Sequence, residues 1–278
     1  MKLSISKIAI LCIGFLLISS PSFSEDTYES LNWQYGPKTQ NILGISSIFL
    51  PSDYQALNIE NTDKYLKISE NIPNGVSNYF GPNPNWWDGY FSFDKVGFVK
   101  DDNDINADEL LKIMQDGMEA SNNFRKQKGW GTMTLLGWEY PPIYDSNSKR
   151  LEWAFLFLVD NTNTKLVNYE TRILGRNGYM SVLLVAKPEL LDKAINDLNS
   201  SLSTFKFNPG EKYSEYKEGD RVAEFGLAAL IAGGAAALAS KKGLWAMLMG
   251  LLLAAKKFAF VIIIGLFAGI ASLFKRKK

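Results

Sequence analysis

Two carboxylates of the kind that perform acid and base work stand near one another in the chain: Glu139, between Trp138 and Tyr140, and Asp145, six residues further on. Set in one cleft, such a pair serves as proton donor and base, as in glycoside hydrolysis, where the separation of the two groups decides the course of the reaction. Arg172 and Lys149 would instead hold Glu139 in an ion pair on the sheet surface. No independent motif fixes the carboxylates' separation. A carboxylate-dependent hydrolase acting on envelope glycans is therefore the alternative function, with Glu139 and Asp145 as its catalytic candidates.

A second constellation is aromatic. Asn78-Tyr-Phe-Gly-Pro-Asn-Pro-Asn-Trp-Trp-Asp-Gly-Tyr90 sets five rings among turn-forming residues. Rings beside Asn and Asp form a stacking platform for sugars or peptides, or else a hairpin whose rings enter the core. On the first reading Trp86, Trp87 and Asp88, joined by Tyr144 and Arg172, are the ligand-binding candidates.

An acidic loop invites a calcium reading, because Asp102, Asp104 and Asn106 match the first three ligand positions of an EF-hand. The match then fails, with Ala107 at the turn glycine and Ile113 at the bidentate glutamate. Asn106-Ala-Asp-Glu109 instead has the pattern of a capped helix start. The chain has no histidine, and its single cysteine, Cys12, lies inside the first apolar run. Histidine-dependent triads and imidazole metal sites are thereby excluded, and neither a metal nor a cofactor is expected.

Those residues need a scaffold, and its pattern is α+β. Ile42–Leu50 and Gln55–Ile59 read as strands about the turn at Pro51-Ser-Asp53, with a short helix over Asp63–Glu70. Trp86–Phe93 and Val96–Lys100 read as a hairpin. After a helix whose apolar stripe is Leu110, Leu111, Met114, Met118 and Ala120, four strands follow: Thr132–Tyr140, Leu151–Asp160, Lys165–Gly175 and Gly178–Lys187. Their links are rich in Pro, Asn and Gly, which favours an antiparallel meander. A helix over Pro188–Ser201 and a last strand at Thr204–Phe207 complete an antiparallel sheet with flanking helices.

The formal net charge of +1 conceals an asymmetry. Residues 25–220 hold 19 basic and 28 acidic side chains, which speaks against nucleic acid as a partner. Both ends carry membrane signals. Lys2 and Lys7 precede the apolar run Ile8–Ile18, and small residues at Ser22 and Ser24 follow, the order of a signal peptide over residues 1–24.

Beyond the exported domain, residues 25–220, the tail over residues 221–278 contains apolar runs at Phe225–Ser240, Gly243–Ala255 and Phe258–Phe274. The last is long enough, at about 25 Å as a helix, to cross a bilayer. Lys241, Lys242, Lys256, Lys257, Lys275, Arg276, Lys277 and Lys278 mark membrane interfaces, and the terminal four favour a cytoplasmic end. Two spanning helices, Phe225–Ser240 and Phe258–Phe274, would place that end outside instead.

The chain resembles a bacterial family of membrane-anchored proteins, the domain of unknown function 2167. Carrying the resemblance are Gly97-Phe-Val-Lys-Asp-Asp102 with Ala107-Asp-Glu-Leu-Leu111, Gly137-Trp138 with Pro141-Pro142 and Tyr144-Asp145, Asn168-Tyr169 with Arg172, Leu174 and Gly175, and Gly226-Leu-Ala-Ala-Leu-Ile-Ala-Gly-Gly234 with Ala-Lys-Lys-Phe258. It implies an exported domain with a C-terminal anchor, and supplies no catalytic residue. Lys187 to Phe207 is similar to PsbP-like domains, which implies an α+β sheet that works by binding.

These readings converge on a binding or interaction domain tethered to the bacterial inner membrane, its main domain on the periplasmic side. Its partners would be membrane lipid and another membrane or envelope protein.

Overall fold

The computed structural model describes residues 27–101 and 105–232. The signal segment, Asp102 and Asp104, the basic residues from Lys241 to Lys278 and the span Phe258–Phe274 lie outside the described residues.

The elements are, in order, β1 (Gln34–Tyr35), β2 (Lys38–Ile42), β3 (Ser46–Leu50), β4 (Tyr54–Leu57), α1 (Ile59–Ile68), β5 (Asn78–Pro82), β6 (Asp88–Asp94), α2 (Ala107–Gln127), β7 (Met133–Asp145), β8 (Arg150–Val159), β9 (Thr164–Leu174), β10 (Tyr179–Ala186), α3 (Leu191–Leu202), β11 (Lys206–Phe207) and α4 (Leu227–Ile231). Eight strands form one antiparallel sheet in the order β1-β4-β5-β6-β10-β9-β8-β7, and β11-β3-β2 form a smaller one. The class is α+β, with the meander from β7 to β10 forming one half of the main sheet and β7 its edge.

Period-two patterning divides the residues of the main sheet between its faces. Met180, Val182, Leu184 and Ala186 of β10 join Ile42, Ile48 and Leu50 of the small sheet and Leu191, Ala194, Leu198 and Leu202 of α3 in one core. Leu151, Trp153, Phe155 and Phe157 of β8 alternate to the other face, where Leu110 of α2 and Leu227, Leu230 and Ile231 of α4 cover them. A third cluster puts Tyr65 and Leu66 of α1 against Leu57, Tyr79 and Tyr90.

Several boundaries differ from those expected. Ile42–Leu50 is two strands, because Leu43 and Gly44 turn the chain with φ of 56° and 74° while Asn41 Oδ1 accepts the Gly44 amide at 2.7 Å. The β2–β3 hairpin therefore belongs to the small sheet, and β4 departs for the large one. Val96–Lys100 makes no hairpin with β6, whose neighbours are β5 and β10. Instead the Phe98 amide donates to Arg221 O at 2.8 Å, and Gly97, at φ 98°, leaves no room for a Cβ, which would meet that carbonyl at 2.6 Å. β7 runs on through Pro141-Pro142. As the edge strand it tolerates residues without an amide hydrogen, and its register shifts there.

Packing also continues past Asp220. The Ala223 amide donates to Phe98 O at 2.9 Å, and α4 is buried on the sheet. Among the described residues, no helix is long and apolar enough to cross a membrane.

Candidate functional site

Where the end of the β8–β9 region meets the small sheet, the chain leaves an open cleft of about 760 Å³, within the size range of small-ligand sites. The tip of the β7–β8 hairpin makes one wall. Asp145 organises that tip: its Oδ1 accepts the Asn147 amide at 2.9 Å, and its Oδ2 accepts the Ser148 hydroxyl at 2.6 Å and amide at 3.3 Å. This is the local chemistry that makes Asp a turn former. Those hydrogen bonds, Ser148 first, hold the Asp145 carboxyl below its ordinary range.

The turn delivers Lys149 with φ 55°, in the left-handed region. Its Nζ lies 2.5 Å from Asp101 Oδ2 and 5.0 Å from the centre of the Tyr213 ring. The lysine lowers the Asp101 pKa chiefly through this hydrogen bond.

The opposite wall is the segment from Phe205 to Ser214. Its form follows from Glu215, whose Oε2 accepts the Gly210 amide at 2.8 Å and the Lys212 amide at 2.9 Å. Tyr213 anchors it to the segment that precedes α2 by donating to Val99 O at 3.1 Å. Burial first, and then the Asp101 charge, push the Tyr213 pKa up to about 12, so the phenol stays protonated at neutral pH.

Lys149, Lys206 and Lys212 line the cleft together with Ile173, Phe205, Phe207 and Pro209, and no Asp or Glu is among the lining residues. The ionisable groups of this lining are three lysines and a tyrosine, set beside an apolar floor.

The family model described as "Protein of unknown function (DUF2167)" matches residues 34–267, from β1 past the end of α4. The chain belongs to that family. Every wall of the cleft lies within the DUF2167 match. No curated protein matches the chain. Among solved structures, the solution structure of cyanobacterial PsbP (CyanoP) from Synechocystis sp. PCC 6803 is similar, with 11% identity and a TM-score of 0.38 over 62% of this chain and 92% of that chain.

The DUF2167 fold separates the sequence candidates. Glu139 and Asp145 lie on the same strand, six residues apart, but bulges shorten their span to that of the facing stretch of β8 from Ala154 to Arg150, roughly 15 Å at the usual rise. That is well outside the range of about 5–9.5 Å in which paired carboxyl groups work on a glycosidic bond. Neither alternative partner reaches Glu139: Arg172 Nη2 pairs with Glu170 at 2.5 Å, and Lys149 with Asp101.

Arg172 is buried, its guanidinium carbon 4.7 Å from the centre of the Trp153 ring, and it acts as a brace beneath the sheet's cover. Trp87 is 2% exposed and donates its indole N–H to Asp197 Oδ2 at 2.9 Å, so its ring belongs to the core. Trp86 is half-buried under Lys193, whose Nζ is 4.5 Å from its ring centre. Asp88 serves the third core: Tyr65 donates to it at 2.7 Å, while burial raises its pKa against the opposing effect of the Tyr65, Tyr79 and Asn85 hydrogen bonds.

Tyr144 is partly buried near Asp101, to which its hydroxyl donates at 3.4 Å. Burial is the main cause of its raised pKa. Of the seven candidates, Asp145 alone shapes the cleft, by holding the turn rather than by facing a ligand.

The sequence pattern offers Lys149 only as an ion-pair partner for Glu139, and gives no role to Lys206, Lys212 or Tyr213. The signal available was slight: Lys206 between Phe205 and Phe207, and Lys212 before Tyr213, repeat a lysine beside an aromatic ring.

Proposed function

We propose that this is an exported domain, anchored to the bacterial inner membrane by its tail, that works by binding a ligand or envelope partner in the lysine-rimmed cleft rather than by hydrolysis. The observation that carries the reading is the cleft itself, with three lysines, an aromatic and apolar floor and no carboxylate. Its supports are the spread of Glu139 and Asp145 along one strand and the order of membrane signals at the two ends of the sequence. Lipid is then the surface to which the domain is tethered, and the cleft is what it presents.

A photo-crosslinking residue placed at Ser214, on the cleft wall, tests this in the intact chain in native membranes. A discrete adduct is expected, lost when Ser47→Trp fills the cleft from the other side, and the chain should resist alkaline extraction from the membrane. Hydrolysis of labelled envelope glycan by the purified chain, abolished by Glu139→Gln, would establish the enzyme instead.

A further inference from the structure

We infer that the cleft takes a phosphate-type anion, its charge met by Lys206 and Lys212, with Lys149, itself paired with Asp101, on the other wall. The inference rests on the binding reading above and names the ligand's chemistry.

The residues between Glu25 and Asp220 carry 19 basic against 28 acidic side chains, yet the lining of this cleft has three lysines and no acid. Positive charge collected against the composition of the surrounding surface creates a local field that attracts anions. Lys206 and Lys212 form no ion pair among the described residues, and both are exposed at the rim. Glu211, next to Lys212 in sequence, accepts from the Asn177 side-chain amide at 3.0 Å, and Glu215 is committed to the Gly210 and Lys212 amides, so neither carboxylate is among the lining residues.

The third lysine is in a conformation that side chains other than glycine rarely adopt, φ 55° at Lys149. Left-handed backbone is disfavoured for a residue with a Cβ, and such strain gathers at functional positions. Glycine or asparagine would close the same turn more easily. The lysine's ammonium is instead held 2.5 Å from Asp101 Oδ2 and beside the ring of Tyr213, a residue of the cleft wall.

Ligand class follows from the type of base. Lysines are point charges that converge on a multiply charged oxyanion, whereas planar carboxylates are met by the arginine fork, and no arginine lines the cleft. Asn147, Ser148, Asn208 and Ser214 add neutral hydrogen-bonding groups around the charges. The floor of Ile173, Phe205, Phe207 and Pro209 accommodates an apolar body attached to the phosphate. Phosphate chemistry of this kind comes from a phospholipid headgroup or from a free phosphate.

The experiment uses the full chain in neutral maltoside micelles, carrying Cys12→Ser and Ser214→Cys with an environment-sensitive fluorophore on the new thiol. Probes are inorganic phosphate, dihexanoyl phosphatidic acid and, as the zwitterionic control, dihexanoyl phosphatidylcholine. A saturable response to an anionic probe is expected, weakened about tenfold or more, or about 1.4 kcal/mol, by Lys206→Ala with Lys212→Ala. Preference for the acylated probe over inorganic phosphate assigns the source to a lipid headgroup, and equal response assigns it to free phosphate. No response to either anion, an equal response to the phosphatidylcholine control, or a response that the double substitution leaves unchanged, overturns the inference. If the Ser214 adduct in native membranes persists in that case, the ligand class alone has failed. If the adduct is also absent, the binding reading has failed with it.

Discussion

Lys149 Nζ meets Asp101 Oδ2 at 2.5 Å across 48 residues of sequence, joining the tip of the β7–β8 hairpin to the segment that precedes α2. The contact opposes two terms of similar size. An ion pair whose side chains are about one-third exposed contributes roughly 0–1 kcal/mol, while the left-handed backbone of Lys149 costs about 1–2 kcal/mol. The lysine is thus close to neutral for folding, which leaves the cleft as its main physical consequence.

Substitution separates the two terms. Lys149→Gly removes the backbone cost together with the ion pair and should unfold within about 1 kcal/mol of the parent in urea. Lys149→Ala keeps the cost and loses the pair, so its midpoint should fall below that of the glycine variant. An alanine variant more stable than the glycine one would show that the backbone term has been misjudged.

The Arg176–Asp220 pair, with Nε to Oδ2 at 2.7 Å and Nη2 to Oδ1 at 2.8 Å, is expected to make the fold sensitive to acid. Arg176 first, then the Lys217 amide, lowers the Asp220 pKa to about 2. A carboxyl whose folded pKa is depressed contributes stability above its unfolded value, about 3.9, and that contribution is lost as pH falls toward 2. Asp220→Asn should therefore flatten the decline in melting temperature between pH 4 and about 2, the window set by those two values. An unchanged acid limb would rule out this pair as its cause.

Trp87 tests whether the aromatic segment is core. Trp87→Ala should lower stability by about 3–5 kcal/mol, the usual loss for a buried large ring. Trp87→Phe, which keeps an aromatic ring but leaves Asp197 without its indole donor, should lose less. Chemical denaturation of both variants reads the difference, and a near-neutral alanine variant would return Trp87 to the surface as a ligand contact.

The meander from β7 to β10 was legible because its strands are runs rich in aromatic and aliphatic residues and each link carries Asn or Gly. The α2 start was legible from Asn106, whose Oδ1 accepts the Glu109 amide at 3.2 Å as its spacing suggests. β5 escaped because Asn78-Tyr-Phe-Gly-Pro82 is buried at every position, and a short strand without alternation has no period to detect. The division of Ile42–Leu50 escaped because Leu43, a poor turn former by composition, adopts a positive φ beside Gly44. The cleft escaped for a different reason. Lys149, Lys206 and Lys212 come from two segments far apart in sequence, and only the approach of the hairpin tip to the small sheet puts them in one lining.

The end of the folded domain decides how the chain is to be divided, and among the described residues the packing of α4 carries the domain past Asp220 to Ala232. Leu227 and Leu230 are 0% exposed and Ile231 is 3% exposed, all set into the core that holds Leu151 and Trp153. Each such side chain contributes about 1.5–3 kcal/mol by burial, so removing the three withdraws roughly 5–9 kcal/mol from a domain of ordinary stability, about 5–15 kcal/mol. The same cut removes the Ala223 amide that donates to Phe98 O and the Arg221 carbonyl that accepts from the Phe98 amide. A chain ending at Ala232 should therefore melt cooperatively and remain soluble after export, while one ending at Asp220 should bind a hydrophobic dye and melt early or without a transition. Equal melting temperatures for the two would show that α4 is an ornament on the sheet rather than its cover, and would restore Asp220 as the working boundary.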